Sequence, residues 1–226
     1  MNQKNQFYDF WQKIVNNKKS SIVLLLAILI PCIGKGLLVM SEERSLETGI
    51  VAFFHNYSPS FIMSISKILA IIFSTKCCIV ILLVLSIISY FIKRNWRITL
   101  TQLVISLLPM VYIFAIKFIV HRPRPFIGVK VKLPPDPSFP SGHTAAAVAI
   151  CAMILMILYV SNKSLLKLGL IISIVVVVIV ALSRLVVAAH FPTDVITSAI
   201  MYPILVMYNL DFFKNSSFIN RKILKR

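Results

Sequence analysis

The sequence predicts an all-α membrane protein, a polytopic helical bundle with six transmembrane helices and a short interfacial helix. Three observations lead there. Of the 226 residues, 58% are hydrophobic and only 14% charged, at a mean hydropathy of +0.89, well above ordinary soluble domains. Apolar stretches recur along most of the chain, unlike the single N-terminal block of a signal peptide on a soluble domain. Basic residues gather in the short segments between those stretches. Residues 1–226 read as one integral domain, with a motif-bearing core at 117–210 and N-terminal spans plus a substrate-side loop at 21–116.

A span needs roughly 17 to 25 apolar residues. The first runs from about Ser21 to Met40, interrupted by Pro31 and Lys35, after a polar start with Lys4, Lys13, Lys18 and Lys19. A wetter stretch with Glu42, Glu43, Arg44 and Glu47 follows, and Ser41 to Ser60 reads as a substrate-selecting loop. Phe61 to Ser74 is only 14 residues and carries Lys67, which is too short to span and fits an interfacial or re-entrant piece. Cys77 to Ile92 is the second span, and the charged knot Lys93–Arg97 separates it from a third at Ile98 to Ile116. The fourth covers Thr144 to Val160, the fifth Leu165 to Leu182, and the sixth Val195 to Leu210, ahead of a basic tail.

Six spans put both termini on one side, and the basic flanks place that side in the cytoplasm. In this arrangement the cytoplasmic segments hold 14 of the 24 Lys and Arg. The net charge of +17 is thus expected to anchor the chain and not to bind nucleic acid, which needs a soluble basic face. Cys32, Cys77, Cys78 and Cys151 all fall in apolar stretches without metal-site spacing. They read as packing residues, with no metal and no cofactor expected. A bacterial inner membrane is the expected location.

Anchoring does not explain three polar clusters at span boundaries: Lys117 to Pro125, then Pro140-Ser141-Gly142-His143, then Ser183-Arg184 with His190 and Asp194. The topology carries all three to the outer face. Lys117, Arg124 and Arg184 would place three cations beside a low-dielectric medium, a costly arrangement unless they share an anion. Phosphate fits, because Arg offers a planar fork of donors, Lys a point charge, and Ser141 and Gly142 can aim N–H groups from a helix start. His190 and Asp194 are four apart, so on a helical turn the carboxylate accepts one ring N–H and leaves the other nitrogen as a nucleophile. His143, from the opposite side, would serve as general acid.

This set resembles the type 2 phosphatidic acid phosphatase family, related to lipid phosphate phosphatases and vanadium haloperoxidases. The family pattern is Lys, six residues, Arg-Pro; then Pro-Ser-Gly-His; then Ser-Arg, five residues, His, three residues, Asp. Lys117 with Arg124-Pro125, Pro140 to His143, and Ser183, Arg184, His190 and Asp194 fill every core position. Ser198 stands where the family often has Gly. The resemblance implies that His190 becomes phosphorylated, Asp194 polarises it, and His143 protonates the leaving group and later activates water. Lys117, Arg124, Ser141, Gly142 and Arg184 would hold the phosphoryl oxygens, without a metal.

Singly, each of these residues reads more simply as a snorkelling anchor; it is eight at family spacing on one face that reverse the reading. His121 and Arg122 fall at variable positions of the first motif and read as interfacial or substrate-rim residues. The expected activity is a lipid phosphatase at the outer face, acting on a membrane lipid such as undecaprenyl pyrophosphate, phosphatidylglycerol phosphate, phosphatidic acid or a lipid A phosphate. Two alternatives stay open: a lipid-to-lipid phosphotransferase with the same phosphohistidine, and a non-catalytic transporter with intramembrane charges.

Overall fold

A computed structural model of the chain describes Cys32, residues 41–128 and residues 133–215. The elements in order are α1 (Ser41–Tyr57), α2 (Ser60–Ile72), α3 (Thr75–Lys93), α4 (Trp96–Val120), α5 (Gly142–Ser161), a 3-10 turn (Lys163–Leu165), α6 (Leu166–Val186) and α7 (Pro192–Asn215). Among the described residues there is no strand, and α3 to α7 are the five helices long and apolar enough to cross a membrane. The protein is an integral membrane helical bundle. The predicted first span, Ser21 to Met40, lies outside the described residues save for Cys32.

The five spans match predicted spans two to six, with their ends set by local chemistry. Ser74 caps α3 by accepting the Cys77 N–H, and Asn95 caps α4 by accepting the Arg97 N–H at 3.0 Å. Between them Arg94, in the left-handed region at φ 50°, closes α3, so the charged knot folds as a sharp reversal. The predicted interfacial piece is α2, whose Phe61, Ile65, Ile68 and Ile71 are exposed.

The Ser41–Ser60 loop is corrected by the structure, which places the 17-residue helix α1 there. Ser41 and the early glutamates are the residue types that favour a helix N-terminus. Downstream, Val51 and Phe54 form an apolar face against Leu185, Ala188, Phe191 and Val195. His55 Nδ1 donates to the Val186 carbonyl at 2.9 Å and ties α1 to the end of α6.

The centre of the bundle is α5, in which 61% of the apolar stretch is buried, against 11% for α6. Small residues explain its place: Ala145, Ala146, Ala147 and Ala149 are all buried and let neighbouring helices approach closely. On α6, a Cβ at Gly169 would lie 2.7 Å from Leu158 Cδ1 of α5, so a larger residue there would have to push the end of the Leu158 side chain aside. Two buried polar side chains find partners inside the bundle: Ser89 Oγ donates to Gln102 Oε1 at 2.6 Å, and the Tyr202 hydroxyl donates to the Ser106 carbonyl.

Candidate active site

Four helix ends and two connections meet at one end of this bundle. The last turn of α4 carries Lys117, and the helix closes at His121, left-handed at φ 52°, whose N–H donates to Lys117 O. The chain then folds back on itself, with the Ser138 N–H donating to Arg122 O at 2.8 Å. Ser141 caps α5, whose first residues are Gly142 and His143. The last turn of α6 carries Ser183 and Arg184, and the chain turns through Ala188 at φ 51°, a conformation costing a non-glycine residue roughly 1–2 kcal/mol. His190 follows, and α7 starts at Pro192, a residue suited to a first helical position, with Asp194 in its first turn.

The two histidines face each other across this end with ring centroids 6.4 Å apart and planes at 63°. His190 was expected on a helical turn with Asp194, but it lies in the connection before α7, because the helix begins only at Pro192. The side chains still meet, with His190 Nδ1 3.5 Å from Asp194 Oδ2. That is long for a hydrogen bond, yet it settles which ring nitrogen faces the carboxylate and leaves Nε2 for other work. The same Oδ2 accepts the Phe191 N–H at 2.9 Å. Burial of His190 pushes its pKa below 6.5 and outweighs the opposing pull of Asp194, so its ring is held neutral. His143 Nε2 lies 3.1 Å from the Ala70 carbonyl of α2; a carbonyl only accepts, so that nitrogen carries a proton.

The cations are arranged around them. Lys117 Nζ donates to Asp136 Oδ2 and to the Pro137 carbonyl, both at 2.6 Å. Arg124 reaches the other oxygen of Asp136 at 2.8 Å and the Ala189 carbonyl at 2.8 Å. One carboxylate therefore bridges two of the three predicted phosphate-binding cations. Arg184, 1% exposed, donates to the Ser66 carbonyl of α2 at 2.7 Å and to Ser183 Oγ, and makes no ion pair among the described residues. The Ser141 N–H donates to the Asp194 carbonyl at 3.1 Å, and its hydroxyl caps α5, so Ser141 joins two elements of the site. Gly142 sits beside Lys117, whose Cε would be 3.9 Å from a Cβ there.

The charge state of Asp136 makes a testable link to stability. Burial disfavours its ionised form, but Lys117 and Arg124 overcome that and hold the carboxyl below its ordinary 3.8. A depressed acid contributes stability that is present above its unfolded value and lost as pH falls through the folded one. Asp136→Asn should therefore melt at a lower temperature than the native protein at neutral pH. The gap should close only as pH drops below 3.8. Thermal unfolding in detergent across that range checks this, and a constant gap down to the lowest pH would refute the pairing.

Residues 80–213 match the family pattern of the PAP2 superfamily, more than half of the chain. The chain belongs to the PAP2 superfamily. Its fold is similar to a solved structure, the first transmembrane PAP2 type phosphatidylglycerolphosphate phosphatase from Bacillus subtilis, at a TM-score of 0.74 and 19% identity. The match covers 90% of this chain and 98% of the other, and at this identity it speaks for the fold. Comparison with curated protein sequences finds none that matches.

Within this PAP2 chain, sequence reasoning missed three residues at the site. Arg122 is not a rim residue: it is 7% exposed, donates to Asp194 Oδ1 at 2.7 Å, and pairs with Glu47. Glu47, assigned to the substrate-side loop, comes from α1 and precedes the segment that matches the superfamily. Asp136 lay in a loop without a role. The available signal was scarcity: the chain has only seven acids, and buried Arg and Lys require some of them nearby.

Proposed function

We propose that the protein is a lipid phosphatase that forms a phosphohistidine at His190, with its active site at the non-cytoplasmic face. The observation that carries this reading is the placement of two histidines across from each other, one backed by Asp194, with Lys117, Arg124 and Arg184 around them. The membership in the PAP2 superfamily and the fold shared with a phosphatidylglycerolphosphate phosphatase support it.

In this mechanism His190 Nε2 attacks phosphorus while Nδ1 is oriented by Asp194. The bond to the leaving oxygen breaks, and His143, which takes a second proton on Nδ1 beside the bound phosphate anion, gives that oxygen the Nε2 proton, releases the Ala70 carbonyl and is left as a neutral ring. His143 then takes a proton from water, which attacks the phosphohistidine and frees inorganic phosphate. Asp136 shows that Lys117 and Arg124 can share one anion. A phosphoryl group drawn between them would gain Arg184 as a third partner, which supplies the positive charge without a metal. The exposed apolar side chains of α2 beside the site suit a substrate whose chains stay in the bilayer.

The test is phosphate release by purified protein in sealed right-side-out vesicles from undecaprenyl pyrophosphate, phosphatidylglycerol phosphate, phosphatidic acid and a lipid A phosphate. Release from at least one, insensitive to EDTA, blocked by vanadate and seen without permeabilisation, is expected. Transfer to another lipid with little free phosphate would replace hydrolysis by phosphotransfer. Activity that vanishes with EDTA and returns with Mg²⁺, or release only after permeabilisation, would overturn the mechanism or its sidedness respectively.

A further inference from the structure

We propose that Glu47 and Arg122 are positioning residues for the reaction, a buried pair that fixes the Asp194 carboxylate and, through it, His190. The assignment rests on the reading of His190 as nucleophile. Arg122 cannot be a snorkelling anchor, because its guanidinium is held at both ends inside the protein. One nitrogen donates to Asp194 Oδ1 and to Thr193 Oγ1, each at 2.7 Å, and the other donates to Glu47 Oε2. Its flat face lies over the Phe191 ring, 4.0 Å from the centroid.

Glu47 completes the arrangement with its second oxygen, which accepts the Thr193 N–H at 3.0 Å and the Thr193 hydroxyl at 2.7 Å. The hydroxyl thus spends its single proton on Glu47 and its lone pair on Arg122. A closed ring of hydrogen bonds joins α1, the segment after α4 and the first turn of α7. Within it Asp194 Oδ1 is occupied, so the carboxylate cannot rotate, and Oδ2 is presented to His190 Nδ1.

Charge gives the pair a second purpose. Arg122 alone would neutralise Asp194 and weaken its hold on the ring, which becomes cationic as Nε2 bonds to phosphorus. Glu47 gives Arg122 a second carboxylate, so one negative charge in the group remains uncancelled for His190. The cations assigned to phosphate make no contact with either residue, and so substrate binding should be spared.

A double-mutant cycle tests this. Glu47→Gln preserves shape and should lower kcat by about 10- to 100-fold with KM within about twofold, the signature of an interaction felt in the transition state. In an Asp194→Asn background the same change should cost less than about twofold, because residues acting through one another are not additive. Glu47→Asp should recover part of the loss. A merely structural role would lower the amount of active protein equally in both backgrounds. Equal losses in both, or a normal kcat in Glu47→Gln, would overturn the proposal. If Glu47→Gln does not insert, Arg122→Lys passes through the same cycle with the same outcomes. Turnover surviving in His190→Ala would instead refute the nucleophile, whereas an inactive His190→Ala with an additive cycle refutes only the positioning role.

Discussion

Replacing His190 with alanine is expected to lower kcat by at least about 10³-fold while the protein still inserts and stays monodisperse in detergent. The covalent route through His190 disappears with the ring. His143 keeps its own contact with Ala70, and the cations keep theirs with Asp136 and the backbone. His190 lies in the connection before α7, outside the spans that hold the bundle together, so the cost falls on chemistry. The measurement is single-turnover phosphate release together with acid-labile labelling of the protein by a phosphate-labelled lipid. Labelling that persists in His190→Ala would remove it from the reaction.

Replacing His143 with alanine should cost about 10²- to 10⁴-fold, the usual range for help from a general acid or base. A leaving-group comparison identifies the step. An alkyl phosphate leaves as a strongly basic oxygen and needs the proton, whereas an aryl ester with an electron-poor ring does not. The first half of the reaction should therefore be slowed much less in His143→Ala when the aryl ester is the substrate. An equal loss on both esters would show that His143 binds substrate and does not transfer a proton.

The convergence of the eight motif residues on one end of the bundle was legible because it needs only local signals: each helix end announces itself by residue type and spacing, and the spans bring the ends together. The Glu47–Arg122 contact was not legible, since it joins residues 75 apart in the chain and neither lies in a periodic pattern. Helix α1 was missed for a related reason. Its glutamates read as a wet loop by composition, whereas at its start they suit a helix N-terminus, and its apolar face is recognised only against α6 and α7. His190 falls outside the expected turn because Pro192, a residue suited to a first helical position, starts the helix two residues later.

Helix lengths carry a consequence of their own. α4 has 25 residues, while α3, α5 and the apolar part of α7, Pro192–Leu210, have 19, 20 and 19. At about 1.5 Å per residue α4 exceeds the others by roughly 8 Å, so a hydrocarbon slab of about 30 Å takes in its whole length only if it tilts. Longer helices accommodate hydrophobic mismatch by tilting, and tilt moves their ends. Lys117, His143, Arg184 and Asp194 sit at the ends of α4, α5, α6 and α7. The acyl-chain length of the host lipid would thus bear on the registry of these side chains. A change in bilayer thickness would then act as an effector that needs no binding site.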